Sequence, residues 1–152
     1  MPAGNACTIR EARLPEDLPV LQSIRHRVFV EELGIPESLE WDGQDESSRH
    51  IVAYSARQEA VGTGRLGPDG RIGRIAVLPP WRRTGIGRAI LDVLLRLAAH
   101  GGHQYVFLYA QRDVVGLYRN AGLTERGQPF MAAGIEHVKM EKTLDVGNNE
   151  VR

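Results

Sequence analysis

The chain has 152 residues, of which 42% are hydrophobic and 25% charged, and its 19 basic and 19 acidic side chains cancel. That is the composition of one globular domain long enough for a real core, and it leaves no overall field to draw the protein to nucleic acid or to an anionic membrane. No apolar run approaches the roughly 18 residues of a membrane span, the start MPAGNACTIR lacks the apolar stretch of a signal peptide, and the lone Cys7 and five scattered His spell neither a disulfide nor a metal site. A cytoplasmic, metal-free domain is expected.

Residues 1–6 and 145–152 are polar and expected to fray, leaving 7–144 as a single domain. Cys7 to Arg13 alternates as a first strand. Pro15-Glu16-Asp17 then opens a helix with Leu21, Ile24 and Val28 on one face. Glu32, four residues beyond Val28, extends that apolar stripe with a carboxylate: either the helix has ended and Glu32 is solvated, or it projects into a pocket. Gly34 to Ser48 reads as a loop rich in acids (Glu37, Glu40, Asp42, Asp45, Glu46), a solvated face or the rim of a site for a cationic amine, and Trp41 within it is expected to pack over core or ligand.

His50 to Ala56 and Ala60 to Leu66 read as a hairpin, and Gly67-Pro68-Asp69-Gly70 turns the chain into a strand from Ile72 to Leu78. A loop with Arg82 and Arg83 leads into Gly85-Ile86-Gly87 and a helix. Ile86, Ile90, Leu94 and Leu97 form its apolar stripe, Arg88, Asp92 and Arg96 lie on the opposite face, and Gly101-Gly102 is its stop. Amides at a helix start have no intrahelical acceptor and sit at the positive end of the dipole, and glycine lets an anion approach them closely. A phosphate site is one reading of this loop; a solvated Arg/Gly loop is the other. A Walker loop needs Lys after the glycines, and a dinucleotide GxGxxG loop needs glycine where Ile90 stands. Arg-x-x-Gly-x-Gly remains, in Arg82-Arg83-Thr84-Gly85-Ile86-Gly87.

Gln104 to Ala110 is almost all β-formers and is expected as a buried central strand parallel to Ile72 to Leu78, because a helix crosses between them. A second helix, from about Asp113 to Ala121, carries Val114, Leu117, Tyr118 and Ala121 inward and ends at Gly122. Leu123 to Arg126, a turn at Gly127-Gln128-Pro129, and a strand from Ile135 to Leu144 with Val138, Met140 and Lys142 on one face complete the chain.

The Arg82 to Gly87 loop resembles the acyl-CoA loop of the GNAT superfamily of N-acetyltransferases, and Leu117-Tyr118-Arg119-Asn120-Ala121-Gly122-Leu123 looks like that family's Tyr-x-x-x-Gly-Phe segment with Leu123 for the aromatic. VFVEELGIPESLEWDGQD, YAQ and GIEHVKMEK are similar to the bacterial ElaA-like branch, from which the chain departs at Glu31-Glu32 and Tyr109. The resemblance implies an α/β (α+β) GNAT fold: a mixed, mostly antiparallel central sheet of six to seven strands, flanked by about four helices and splayed between strands 4 and 5. It also implies acetyl-CoA as co-substrate. The edge of the fourth strand at Ile75, Ala76 and Val77 would take the pantetheine, and Arg82, Arg83, Thr84, Gly85, Ile86, Gly87 and Arg88 the pyrophosphate. Gln111 would lie nearby, and Tyr118 beside the departing thiolate as general acid.

Freeing a primary amine of pKa ~10.4 at neutral pH costs about 4 to 5 kcal/mol, so a base is needed. Glu32 and His137 are the candidates, with Glu40, Asp42 and His50 behind them. The expected activity is N-acetyl transfer to a primary amine of a small molecule or peptide by direct attack in a ternary complex, with a cationic acceptor suggested by the acidic loop. A non-catalytic acyl-CoA-binding sensor or scaffold is the alternative, and an exposed final strand offers an edge for a homodimer.

Overall fold

In the computed structural model, which describes residues 7–144, the strands Cys7–Glu11 (β1), Arg49–Ser55 (β2), Ala60–Leu66 (β3) and Ile72–Val77 (β4) pair antiparallel in the order β1-β2-β3-β4. The segments expected to fray lie outside the described residues. The helix Leu18–Arg25 (α1) continues in a wider, π-helical winding over His26–Glu32. Its stripe forms as the spacing predicts, with Leu21, Ile24 and Val28 buried and the last two packed on Ala76 and Leu78. Helix Ile86–His100 (α3) packs with the other core cluster through Ile86, Ile90, Leu91, Leu94 and Ala98. It lies so close to β3 that a Cβ on Gly64 would stand 2.8 Å from both Ile90 and Leu94. The glycines of β3 are therefore there for helix contact.

Strands Tyr105–Gln111 (β5), Ile135–Thr143 (β7) and Thr124–Ala132 (β6) form a second antiparallel sheet, in the order β5-β7-β6. Val106, Leu108, Ala110, Val138 and Met140 join the core with Val115 of the short helix Val115–Asn120 (α4). The opposite face, carrying Tyr105, Phe107 and Tyr109, is only partly covered, so β5 is not the doubly buried central strand its composition suggests. Its parallel contact with β4 is confined to the base, where the Phe107 amide donates to the Gly70 carbonyl at 3.1 Å and Arg71 bridges Phe107. Beyond that point the strands part.

The parting has a local cause. The β3–β4 register runs from Thr63↔Ala76 to Arg65↔Gly73, two steps on one strand against three on the other, and Arg74 takes φ +51° at the extra residue. Such a bulge bends and twists its strand. Thr63 Oγ1 secures it by donating to the Arg74 carbonyl at 3.0 Å.

Three further expectations are corrected. The chain reverses between β6 and β7 at Ala133-Gly134, both at positive φ as a two-residue hairpin requires, and not at Gly127-Gln128-Pro129, which is an irregularity inside β6. Proline cannot donate to a ladder and is tolerated there because β6 is an edge; the final strand β7, expected to offer an exposed edge to a second copy, is instead paired on both sides by β5 and β6.

The acidic stretch, moreover, is not a free negative rim. It folds with one helical turn, Glu37–Glu40 (α2), and delivers Glu40, Asp42 and Asp45 to Arg25, Arg65 and Arg74 in one network. Arg25 is 0% exposed and Glu40 3%. His50, also buried, has its Nε2 2.9 Å from the Asp45 carbonyl. Arg25 comes from α1 and Arg74 from the bulge, so the network pins the loop across the sheet.

Candidate active site

The splay opens into one groove of about 980 Å³. One wall comes from the end of α1 and the following loop (Phe29, Glu32, Leu33, Ile35, Leu39). The floor is Arg71 followed by β4 as far as Val77, and the far wall combines β5, α4 and the β6–β7 hairpin. Ile75, Ala76, Val77, Arg82, Arg83, Gly87, Gln111, Tyr118, Glu32 and His137 all line it, so most of the residues singled out in the sequence are brought together. Trp41 does not line it; that side chain is 38% exposed elsewhere.

At the loop end, Gly85 takes φ +90°, a left-handed conformation that starts α3. The first main-chain bond into the helix is from Ala89 N–H to the Gly85 carbonyl at 3.0 Å. The amides from Thr84 to Arg88 make no main-chain bond among the described residues. Thr84 Oγ1 donates to the Trp81 carbonyl at 2.5 Å and Arg88 pairs with Asp92 at 3.0 Å, which stiffens both ends of the run. A row of free amides at a helix start is an anion site by construction.

Glu32 and Arg82 meet across the groove in a bidentate pair, both contacts 2.6 Å, while Arg82 Nε donates to the Val77 carbonyl at 2.8 Å. The Arg82 hydrogen bonds, aided by its charge, outweigh burial and hold the Glu32 carboxyl below the usual range, which makes it a poor proton acceptor in this arrangement. Of the reserve bases, Asp42 is bound to Arg65 and Arg74, Glu40 to Arg25 and Arg74, and burial pushes the His50 imidazole down. Asp42 and His50 do not line the groove, and Glu40 lines it as part of the arginine network.

His137 differs. Its Nδ1 lies 2.7 Å from the Ile135 carbonyl; because a carbonyl can only accept, Nδ1–H is the donor there, and Nε2 is the ring nitrogen without a partner among the described residues. It sits opposite Gln111 in the β5–β7 register and stacks on Phe130, with ring centroids 5.8 Å apart.

Tyr118, expected on the inner face of α4 and beside the departing thiolate, packs against the core cluster and lines the groove together with Val114 and Leu117, while Val115 and Ala121 fill the core. Its hydroxyl makes no hydrogen bond among the described residues, and burial pushes its pKa up to about 12. The hydroxyl is thus a donor without an acceptor. Gly122, at φ +95°, ends the helix as its composition predicts.

The sequence reading missed Arg71 and the aromatic side of the groove. Tyr109 and Phe130 meet edge to face at 5.6 Å, and Arg71 lies over the Tyr109 ring at 4.8 Å. Alternation within Gln104 to Ala110, with Val106, Leu108 and Ala110 inward, carried that signal.

No three metal-ligating side chains converge among the described residues, and none of the described helices is long and apolar enough to cross a membrane. A seven-stranded α+β fold parted beside a glycine-started helix is the GNAT fold of acyl-CoA-dependent acyltransferases. Residues 17–144 match the family model described as the acetyltransferase (GNAT) domain, and the chain belongs to that family. It is 36% identical over 137 residues to YjcF of Bacillus subtilis, an uncharacterized N-acetyltransferase, covering 86% of this chain and 96% of YjcF. Escherichia coli ElaA shares the fold with a TM-score of 0.81 at 23% identity, over 90% of this chain and 99% of ElaA. A GNAT family acetyltransferase from Elizabethkingia anophelis, solved with acetyl-CoA bound, shares it with a TM-score of 0.69 at 16% identity, over 91% of this chain and 98% of that one.

Proposed function

We propose that the protein is an N-acetyltransferase that moves the acetyl group of acetyl-CoA to a primary amine by direct attack within a ternary complex. The observation that carries this reading is one groove that reaches the helix start at Arg83 and Gly87, runs along the unpaired β4 edge and is lined by Tyr118 with its unpartnered hydroxyl.

Acetyl-CoA supplies an acetyl group activated as a thioester. The amides from Thr84 to Arg88, with Arg83 beside them, hold its diphosphate. The β4 edge at Ile75, Ala76 and Val77 pairs with its pantetheine arm as an added strand would, and Gln111 borders the same channel. The amine nitrogen bonds to the acetyl carbon while the carbon–sulfur bond breaks. His137 takes the amine proton on Nε2, directly or through water. Tyr118 donates a hydrogen bond to the departing sulfur. Glu32 acts by holding Arg82, which in turn holds the Val77 carbonyl and with it the strand edge.

The test is amine-dependent release of free thiol from acetyl-CoA across a broad panel of amines, with mass spectrometry of the amine product. Acetylated amine in step with thiol is the expected result. Acetyl-CoA binding without amine-dependent release would leave a CoA-binding sensor in its place.

A further inference from the structure

The acceptor half of the groove has a chemistry of its own, apart from the cofactor loop. One wall is aliphatic, through Leu33, Ile35 and Leu39, and the last is 57% exposed. The other is the aromatic series Tyr109, Phe130 and His137, in contact edge to face and then stacked, with Tyr109 38% and Phe130 40% exposed. Exposed apolar side chains facing one another across a groove mark a surface that a ligand covers.

The charge in contact with the aromatic series of this sheet face is positive. Three carboxylates line the groove: Glu32 is paired with Arg82, Glu40 with Arg25 and Arg74, and Asp113, in the exposed turn after Gln111, has no ion pair among the described residues. Arg71, at the base of the splay, has no carboxylate partner among the described residues and rests on the Tyr109 ring. Lys139 stands over Phe107 at 5.1 Å on the same sheet face, equally without an ion pair. Against the aromatic wall a cationic acceptor would meet the unpaired Arg71 guanidinium; the groove carboxylate without an ion pair, Asp113, belongs to the turn after Gln111. An anion would meet a planar guanidinium already oriented by its ring, with donors suited to two carboxylate oxygens.

From this we infer that the acceptor is a primary amine bearing a carboxylate and an apolar, preferably aromatic, body. The carboxylate sits on Arg71 and the body lies between Leu39 and the Tyr109–Phe130 pair. A single guanidinium matches the one negative charge of a carboxylate better than a dianionic phosphate. The inference deepens the acetyltransferase reading and rests on it for the identity of the transferred group.

The experiment uses phenylalanine and 4-(aminomethyl)benzoate, each beside its primary amide, with spermidine as the cationic comparison. Thiol release gives kcat/KM for each amine, and calorimetry in the presence of CoA gives the affinity of each N-acetylated acid and N-acetylated amide, independent of turnover. At least one acid should exceed its amide on the order of tenfold in both readouts. Arg71→Gln should bring that ratio to within twofold, Arg71→Lys should retain part of it, and acetyl-CoA affinity should not move in either variant. Arg71 is exposed and outside the core, so these variants keep the fold.

Equal binding of acid and amide, a preference for spermidine, an acid preference that survives Arg71→Gln, or no binding by any of these probes would overturn the inference. Charge discrimination through Arg71 in the binding experiment with no thiol release from any amine would sustain the acceptor class while removing the transferase reading. The two failures are therefore separable.

Discussion

Replacing Tyr118 by Phe removes one hydroxyl from the groove and little else, because the ring stays packed on α4. The structure sets the size of the effect. With the phenol near 12 and a thiol near its usual ~8.5, full proton transfer to the departing sulfur would be uphill by about 5 kcal/mol. On the proposed mechanism Tyr118 therefore acts mainly as a hydrogen-bond donor to developing negative charge, a contribution of about 1.5 to 3 kcal/mol, or roughly ten- to a hundredfold in rate. Tyr118→Phe should lower kcat by that factor and leave the affinity for acetyl-CoA within about twofold. Because the hydroxyl stays protonated to beyond pH 10, wild type and variant should share the same profile of kcat against pH up to that point. Stopped-flow thiol release from pH 6 to 10, with calorimetry for acetyl-CoA, measures both quantities. An alkaline fall near pH 9 in the wild type that vanishes in Tyr118→Phe would show a phenol titrating far too low and would refute the reasoning, as would an unchanged kcat.

The other predictions concern the base, the buried ion network and the helix contact. His137→Gln should reduce kcat/KM at neutral pH by about 10²- to 10⁴-fold, while Glu32→Gln should cost less than tenfold in kcat; the opposite order would move the proton acceptor to Glu32. Glu40→Ala leaves the fully buried Arg25 short of its main partner and should destabilise the fold by about 3 to 5 kcal/mol in urea unfolding; a loss below about 1 kcal/mol would mean Asp45 suffices alone. Burial alone would raise Asp42, but the Arg65 hydrogen bonds, the Gln44 amide and the charges of Arg65 and Arg74 hold it far below its ordinary value. Its contribution to stability is thus full above about pH 4 and is lost as pH falls below that, and Asp42→Asn should flatten the acid limb of stability against pH. Gly64→Ala forces a methyl against Ile90 and Leu94 and should cost about 1 to 3 kcal/mol by thermal unfolding, with no loss expected only if α3 can lift from β3.

Local chemistry made part of this molecule legible. The 3.6-residue stripe of α3, the helix-start glycines at Gly85 and Gly87, the stop at Gly122 and the β2–β3–β4 meander depend on neighbours a few residues away, and all stand where spacing and composition put them. Long-range contacts decided the rest. Nothing in Ile72 to Val77 announces the Arg74 bulge, because the bulge exists only against β3, and without it β4 and β5 would close instead of parting. Nor could the acidic loop be read from its own residues: whether Glu40, Asp42 and Asp45 face solvent or vanish into salt bridges depends on Arg25, Arg65 and Arg74, which three other elements bring to them. The charge of a segment is local, but the field it leaves behind belongs to the fold, and that is why the sequence marked the cofactor loop while the character of the acceptor groove emerged only in three dimensions.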